Sequence, residues 1–362
     1  MKIGLIGLPL TGKTTLFNLL TNMVGSSETA TGKTEPHVGI AKIPDKRIDF
    51  LANHYKPKKI TYAAIEVIDI RGIEPENAMG KEKGAVHFLE AVRQVDALIH
   101  VVRVFRNEEV IHAEGSLDPL RDIDAVNMEL LFADLAVIEN RIKRIDASKK
   151  MTAELEGERA VLEKCRKCLE SEKLIHSMDL TDDEKQVLKT FQFLTERPIV
   201  LLLNLDEDQF RSGSYEKRAA LHAYADKRGI PLLEISVRTE YEINQLDGDD
   251  KTLFMEDLGI SETGISRLAS LIYNYLGLIS FLTVGTDEVR AWTLNKATTA
   301  KAAGGKIHSD IERGFIRAEI HKFADFERLG TIHAIKEKGL FKIEGKDHII
   351  EDGDIINFRF NV

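Results

Sequence analysis

The chain has 362 residues, 43% hydrophobic and 30% charged, with a formal charge of −9. At about 100–200 residues per domain it can fold as two or three units with sizeable cores, and its composition excludes wholesale disorder. The acidic balance argues against a protein that coats nucleic acid by bulk charge, and two cysteines fit a reducing, cytoplasmic setting rather than a disulfide scaffold.

The amino terminus shows no secretory pattern, and no apolar run approaches the roughly 18–20 residues needed to cross a bilayer. A cytoplasmic chain with no membrane partner is expected. Short apolar runs recur at Ile3–Leu8, Ala63–Ile70, Ala97–Val104, Ile199–Leu203 and Leu232–Ile235, most of them alternating with helical stretches. Such runs predict an α/β domain whose mostly parallel sheet is covered on both faces.

The first run leads into Gly7-Leu8-Pro9-Leu10-Thr11-Gly12-Lys13-Thr14, a full Gly-x4-Gly-Lys-Thr, with Thr15 and a helical pattern behind it. Glycines let backbone N–H groups close around a phosphate, the lysine reaches the β- and γ-phosphates, and the threonine hydroxyl suits Mg²⁺. Gly7, Leu10, Thr11, Gly12, Lys13, Thr14 and Thr15 are therefore expected to bind nucleotide, with Lys13 also serving catalysis. The second apolar run ends in Asp69-Ile70-Arg71-Gly72. Asp69 is placed to hold Mg²⁺, often through water, and the Gly72 N–H to face the γ-phosphate. Ile73 follows, where Ras-like GTPases carry a water-orienting Gln, so the catalytic group must come from elsewhere.

Between about Asp118 and Glu196 the alternation is interrupted. Leu131, Leu135, Ile138, Ile142 and Ile145 form one heptad-like seam, and Leu155, Leu162, Cys165 and Leu169 another beyond a polar break. An inserted antiparallel helical hairpin is expected, with its mixed charges solvated. Cys165 and Cys168 have CxxC spacing, but they lie on the seam without a second pair, so core packing is the expected role.

After Ile199–Leu203 comes Asn204-Leu205-Asp206-Glu207, at the position where GTPases carry Asn-Lys-x-Asp to read guanine. Leu205 replaces the Lys and Glu207 the Asp, which weakens the case for strict guanine recognition. Ser236 would supply the last loop near the base. From about Leu278 the pattern changes to short β-type stretches, such as Phe315–Ile320 and Ile355–Phe360, with turns expected at Ala303-Gly304-Gly305, Glu344-Gly345-Lys346 and Glu351-Asp352-Gly353-Asp354. The expected organisation is a nucleotide-binding domain over 1–125 and 195–278, a helical insertion over 126–194, and an α+β module over 279–362.

These residues resemble the YchF/Obg-like ATPase family over essentially the whole chain. The C-terminal match carries most specificity: Glu256-Asp257-Leu258-Gly259, Glu288-Val289-Arg290-Ala291-Trp292-Thr293, Arg313-Gly314-Phe315-Ile316-Arg317-Ala318-Glu319 and Phe358-Arg359-Phe360-Asn361-Val362. The resemblance implies a G-domain-like fold interrupted by a coiled coil, then a TGS domain of β-grasp shape. It also implies ATP rather than GTP as substrate, and association with ribosomes. In that family a His on the loop after the following strand serves catalysis. The stretch Phe105 to His112 resembles that loop and puts the group at His112, whose neutral imidazole could orient the attacking water. Read without the resemblance, His112 is a surface-loop histidine.

Two departures stand out. Leu10 and Thr11 occupy positions where the family has Asn and Val, and Leu10 has no oxygen for an activating K⁺. In the switch segment the family's Mg²⁺-sensing Thr falls ungapped on Lys33, so the ligand role carries over to Thr34, one position late. The expected function is an Mg²⁺-dependent ATPase switch that acts as a monomer on ribosomes or large-subunit translation factors, without sequence-specific DNA. A GTPase or dual-specificity NTPase, and a nucleotide-responsive adaptor with little turnover, are the alternatives.

Overall fold

The computed structural model describes residues 1–22, 37–70 and 81–361, with residues 81–86 described by backbone alone. Thr34 and Gly72, with Lys33 and Ile73, lie outside the described residues. Spatial proximity divides the chain into two units, Met1–Ile40 with Glu66–Ile265, and Ala41–Ile65 with Ser266–Val362. Residues 41–65 thus group with the C-terminal part of the chain, whereas the motif order places them in the nucleotide-binding domain.

The elements of the chain's first half are β1 (Lys2–Ile6), α1 (Lys13–Leu20), β2 (His37–Lys42), α2 (Lys46–Tyr55), β3 (Lys59–Thr61), β4 (Ala64–Asp69), α3 (Lys81–Arg93), β5 (Ala97–Arg103), α4 (Pro119–Asp146) and α5 (Ala153–Glu170). They continue with α6 (Asp182–Leu188), β6 (Ile199–Asn204), α7 (Glu207–Ser212), α8 (Arg218–Arg228), β7 (Leu232–Ile235), α9 (Val237–Asn244), α10 (Gly248–Asp257) and α11 (Gly264–Tyr275).

The sheet of the first unit has the order β2-β4-β1-β5-β6-β7. The pairs β1/β4, β1/β5, β5/β6 and β6/β7 are all parallel. Every residue of β5 and β6 is buried, as the near-continuous apolar runs predict for strands covered on both faces. The parallel direction places the carboxyl ends of β1, β4, β5, β6 and β7 along one edge, where ligands of open α/β sheets bind. One apolar layer, including Phe88, Val92, Val126 and Leu130, packs on Ile6, Ile68 and Leu98; another centres on Val102, Ile123, Leu203 and Leu221.

The expected hairpin is present as α4 and α5. Asp118 caps α4 with Pro119 in its first turn, and Thr152 caps α5, accepting from the Leu155 N–H. Leu131, Ile138, Ile142 and Ile145 of α4 bury against Leu162, Cys165 and Leu169 of α5. Each such side chain contributes about 1.5–3 kcal/mol when fully buried. Arg141 and Arg159 bridge the helices to Glu158 and Asp146. The expectation that the hairpin charges are solvated fails at Asp134, which is fully buried. Its carboxylate accepts from the Leu194 and Thr195 N–H groups and the Thr195 hydroxyl, tying α4 to the segment before β6. Cys165 is buried in the seam, where desolvation pushes its thiol up to about 12.

The second unit contains β8 (Leu278–Thr283), β9 (Glu288–Asn295), α12 (Ala300–Ile307), α13 (Ser309–Arg313), β10 (Phe315–Lys322), α14 (Phe323–Leu329), α15 (Ile332–Glu337), β11 (Lys342–Glu344) and β12 (Asp354–Phe360). Its mixed sheet has the order β11-β10-β12-β8-β9-β3, with β12/β8 and β3/β9 parallel. The Ala303-Gly304-Gly305 stretch is helical, inside α12, rather than a turn. A Cβ at Gly304 would stand 2.8 Å from Ile311 of α13, so this glycine permits close packing between short helices. The other two expected turns are present, Gly353 having φ +79°. Trp292 packs beside Phe281 in this unit's core and carries Arg290 over its ring.

Candidate nucleotide site

The loop between β1 and α1 is shaped by two glycines. Gly7 has φ +141° and its Cα faces the Val101 carbonyl, while Gly12 has φ +96° with the Asn204 amide close to where a Cβ would stand. Any side chain at either position meets both backbone strain and a collision. Leu10 also sits in the left-handed region, at φ +61°, with its side chain 57% exposed. Gly12 is the N-cap of α1 and supplies no side-chain hydrogen bond, so the first-turn N–H groups of the helix stay available to an anion.

Lys13 is buried, and its ammonium donates to the Gly7 and Leu8 carbonyls at 3.1 and 2.6 Å. Desolvation lowers it to about 8 against the opposing pull of Asp69. The Thr14 hydroxyl donates to Asp69 Oδ2 at 2.8 Å. Burial pushes the Asp69 carboxyl above its ordinary value, while Thr14, Lys13 and His37 oppose that rise. A hydroxyl and a carboxylate side by side are the oxygen donors a hard divalent cation takes, so the residues present fit Mg²⁺. P-loop folds of this kind generally use that ion. Among the described residues no group of three or more His, Cys, Asp or Glu side chains converges as a separate metal cluster.

A cavity of about 1470 Å³ opens over this loop, lined by Leu10, Gly12, Lys13, Thr14 and Thr15 together with residues from the carboxyl ends of β5, β6 and β7. Asn204, Leu205 and Glu207 also line it. The Asn204 amide donates to the Thr11 carbonyl at 2.9 Å and its oxygen accepts from the Val237 N–H at 3.0 Å. It therefore fastens the phosphate loop to the loop after β7. Leu205 is buried, and the Glu207 carboxylate accepts from Arg211, which also binds Asp257.

Other expected residues stand behind the wall. The Thr11 hydroxyl donates to the Leu8 carbonyl, and Ser236 is buried as the N-cap of α9, leaving Val237, Arg238 and Tyr241 to line the cavity. His112 does not line the nucleotide cavity. It lines a neighbouring one of about 470 Å³, where its Nε2 bonds Asp122 at 2.9 Å. Phe105, Arg106, Asn107 and Val110, from the stretch that resembles the histidine-bearing loop, also line the larger cavity, as do Tyr215 and Glu216, which were not anticipated. Phe105 to Val110 lie in the loop after β5, whose carboxyl end faces the site, whereas Tyr215 and Glu216 lie between α7 and α8, where the sequence carries no such signal. Nor was His100 anticipated. Buried on β5 between Ile6 and Leu201, it has no partner for Nδ1 among the described residues, and desolvation holds it down at about 3, with Lys13 adding to the shift.

Comparison with known proteins agrees with this geometry. A family model described as "50S ribosome-binding GTPase" matches residues 2–140, and the YchF-type GTPase C-terminal model, described as "Protein of unknown function (DUF933)", matches 278–361. The chain is 39% identical to a Bacillus subtilis protein named "Ribosome-binding ATPase YchF", covering 100% of both chains. A Haemophilus influenzae protein of the same name is also 39% identical, with 100% of this chain and 99% of that one covered. The solved structure of the Schizosaccharomyces pombe YchF GTPase superposes with a TM-score of 0.88 at 30% identity, over 99% of this chain and 97% of that one. The glycine-shaped phosphate loop, the Thr14–Asp69 pair and full-length similarity at this level lead to one conclusion: the chain belongs to the YchF family of P-loop NTPases.

Proposed function

We propose that this chain is an Mg²⁺-dependent ATPase, hydrolysing ATP to ADP and phosphate, and that it works as a nucleotide-controlled switch on ribosomes. The observation that carries the proposal is the Thr14–Asp69 hydrogen bond beside the bare amino end of α1 and the buried Lys13. Two curated relatives matched over their whole length are named ribosome-binding ATPases, which supports both the substrate and the partner.

In this reading the α1 N–H groups and Lys13 take the phosphates, and Lys13 exchanges its two loop carbonyls for phosphate oxygens. Thr14 and Asp69 would hold Mg²⁺, with Thr34 a further ligand and the Gly72 N–H toward the γ-phosphate. Held there, Mg²⁺ would supply neutralisation of the phosphate charge. Leu205 presents no ammonium, and Glu207 is already engaged by Arg211, so the usual carboxylate reading of guanine is not on offer. That favours adenine. Lys13 and His112 are the proposed catalytic groups, His112 orienting the attacking water. The C-terminal unit is proposed to act as a TGS-type module, and the protein to act as a cytoplasmic monomer.

Titration calorimetry with ATP and GTP, with and without Mg²⁺, tests the site, and hydrolysis with and without ribosomes tests the switch. ATP should bind at least tenfold more tightly than GTP and only weakly without Mg²⁺, and ribosomes should change the hydrolysis rate. Preference for GTP, or tight binding that never leads to cleavage, would refute the ATPase assignment.

A further inference from the structure

The loop after β5 is held at two places. From inside, Arg103 is 4% exposed and its guanidinium donates to the Asn107 and Val110 carbonyls at 3.1 and 2.9 Å. At its far end His112 Nδ1 accepts from the Glu114 N–H at 3.1 Å, so the neutral ring carries its proton on Nε2 and donates it to Asp122 Oδ2 at 2.9 Å. The two side chains are only 9% and 3% exposed. The other Asp122 oxygen accepts from Arg121 Nε and Nη2 at 3.1 and 2.8 Å. Both imidazole nitrogens are thereby engaged, and neither can meet a water. Asp122 lies in the first turn of α4, the helix that goes on to form the hairpin with α5.

We infer that Asp122 is a positioning residue that latches His112 outside the nucleotide cavity, and that hydrolysis requires this bond to open. The inference rests on His112 being the catalytic group proposed above. A charge-assisted hydrogen bond between nearly buried partners is strong enough to keep the competent loop conformation a minor one. It also puts control of the histidine on the inserted helix, so a partner that shifts α4 would act on hydrolysis through this bond.

The test compares single-turnover ATP hydrolysis and ATP affinity for wild type, Asp122→Asn, Asp122→Ala, His112→Ala and the His112→Ala/Asp122→Ala pair. Thermal melts check folding, and Asp122→Asn, of nearly the same shape, serves if the alanine variant does not fold. Asp122→Ala should raise the hydrolysis rate about tenfold, and Asp122→Asn by a smaller factor, with ATP affinity unchanged. The double variant should be as inactive as His112→Ala, showing that the gain passes through the histidine. Rates that stay level or fall in the Asp122 variants while His112→Ala is inactive overturn the latch and leave the catalytic histidine standing. Full hydrolysis by His112→Ala removes the catalytic histidine and the latch with it. A gain that survives in the double variant also overturns the inference.

Discussion

Replacing His100 with Leu should flatten the acid limb of this protein's stability. The ring is buried on a central strand beneath the phosphate loop, Nδ1 has no hydrogen-bond partner among the described residues, and desolvation with the nearby Lys13 charge holds its pKa at about 3 against an ordinary 6.5. Because the folded pKa lies below the unfolded one, the unfolded chain binds the extra proton between these values. Stability is therefore full above about pH 6.5 and is lost as pH falls toward 3. At about pH 5, roughly 1.5 units below the unfolded value, this one group costs wild type about 2 kcal/mol, at 1.36 kcal/mol per unit. Leucine fills a similar volume and has no proton to take up. Urea unfolding followed by far-ultraviolet circular dichroism, without nucleotide, at about pH 7.5 and pH 5 measures the difference. Wild type should lose about 2 kcal/mol more than His100→Leu across that interval, the carboxylates common to both cancelling. Equal losses would mean that His100 is protonated in the folded protein or already solvated, and the reasoning would be wrong.

Three further outcomes follow from the same contacts. Asp134→Ala strips three donors on Leu194 and Thr195 of their buried acceptor and should cost about 3–5 kcal/mol by chemical denaturation; a loss under about 1 kcal/mol would show that the anchor is dispensable. Leu10→Asn relieves a leucine held at φ +61° and should gain about 0.5–1 kcal/mol, read as a higher Tm without nucleotide; an unchanged or lower Tm counts against strain at this position. Asn204→Ala cuts both hydrogen bonds that fasten the phosphate loop to the loop after β7, and should weaken ATP binding about tenfold or more by calorimetry; unaltered affinity would deny the tether.

Much of the fold was legible because its signals are local. Near-continuous apolar runs alternating with helical stretches read as strands of a parallel sheet covered on both faces, and β5 and β6 are such strands. Heptad spacing produced the seam of α4 and α5, which Ile175, Leu188 and Phe193 extend. The phosphate loop was legible for the same reason: glycine, lysine and threonine at fixed spacing are a local solution to holding a phosphate, and the structure sets Thr14 against Asp69 as that solution requires. Gly304 and Gly305 misled because the same residue type serves turns and tight helix contacts, and only the position of α13 distinguishes them.

The sequence by itself determined the form of the phosphate loop, because its glycines, lysine and threonine are adjacent along the chain. Only the tertiary structure decided which side chains are sequestered. Asp134 looks like any hairpin charge until the segment before β6 folds over it, and His100 looks like any strand residue until two neighbouring strands and a lysine surround it. His112 carries the same letter whether it faces a phosphate or Asp122. Burial and partner choice depend on elements far apart in sequence, and desolvation acts on a group only once those elements have closed around it.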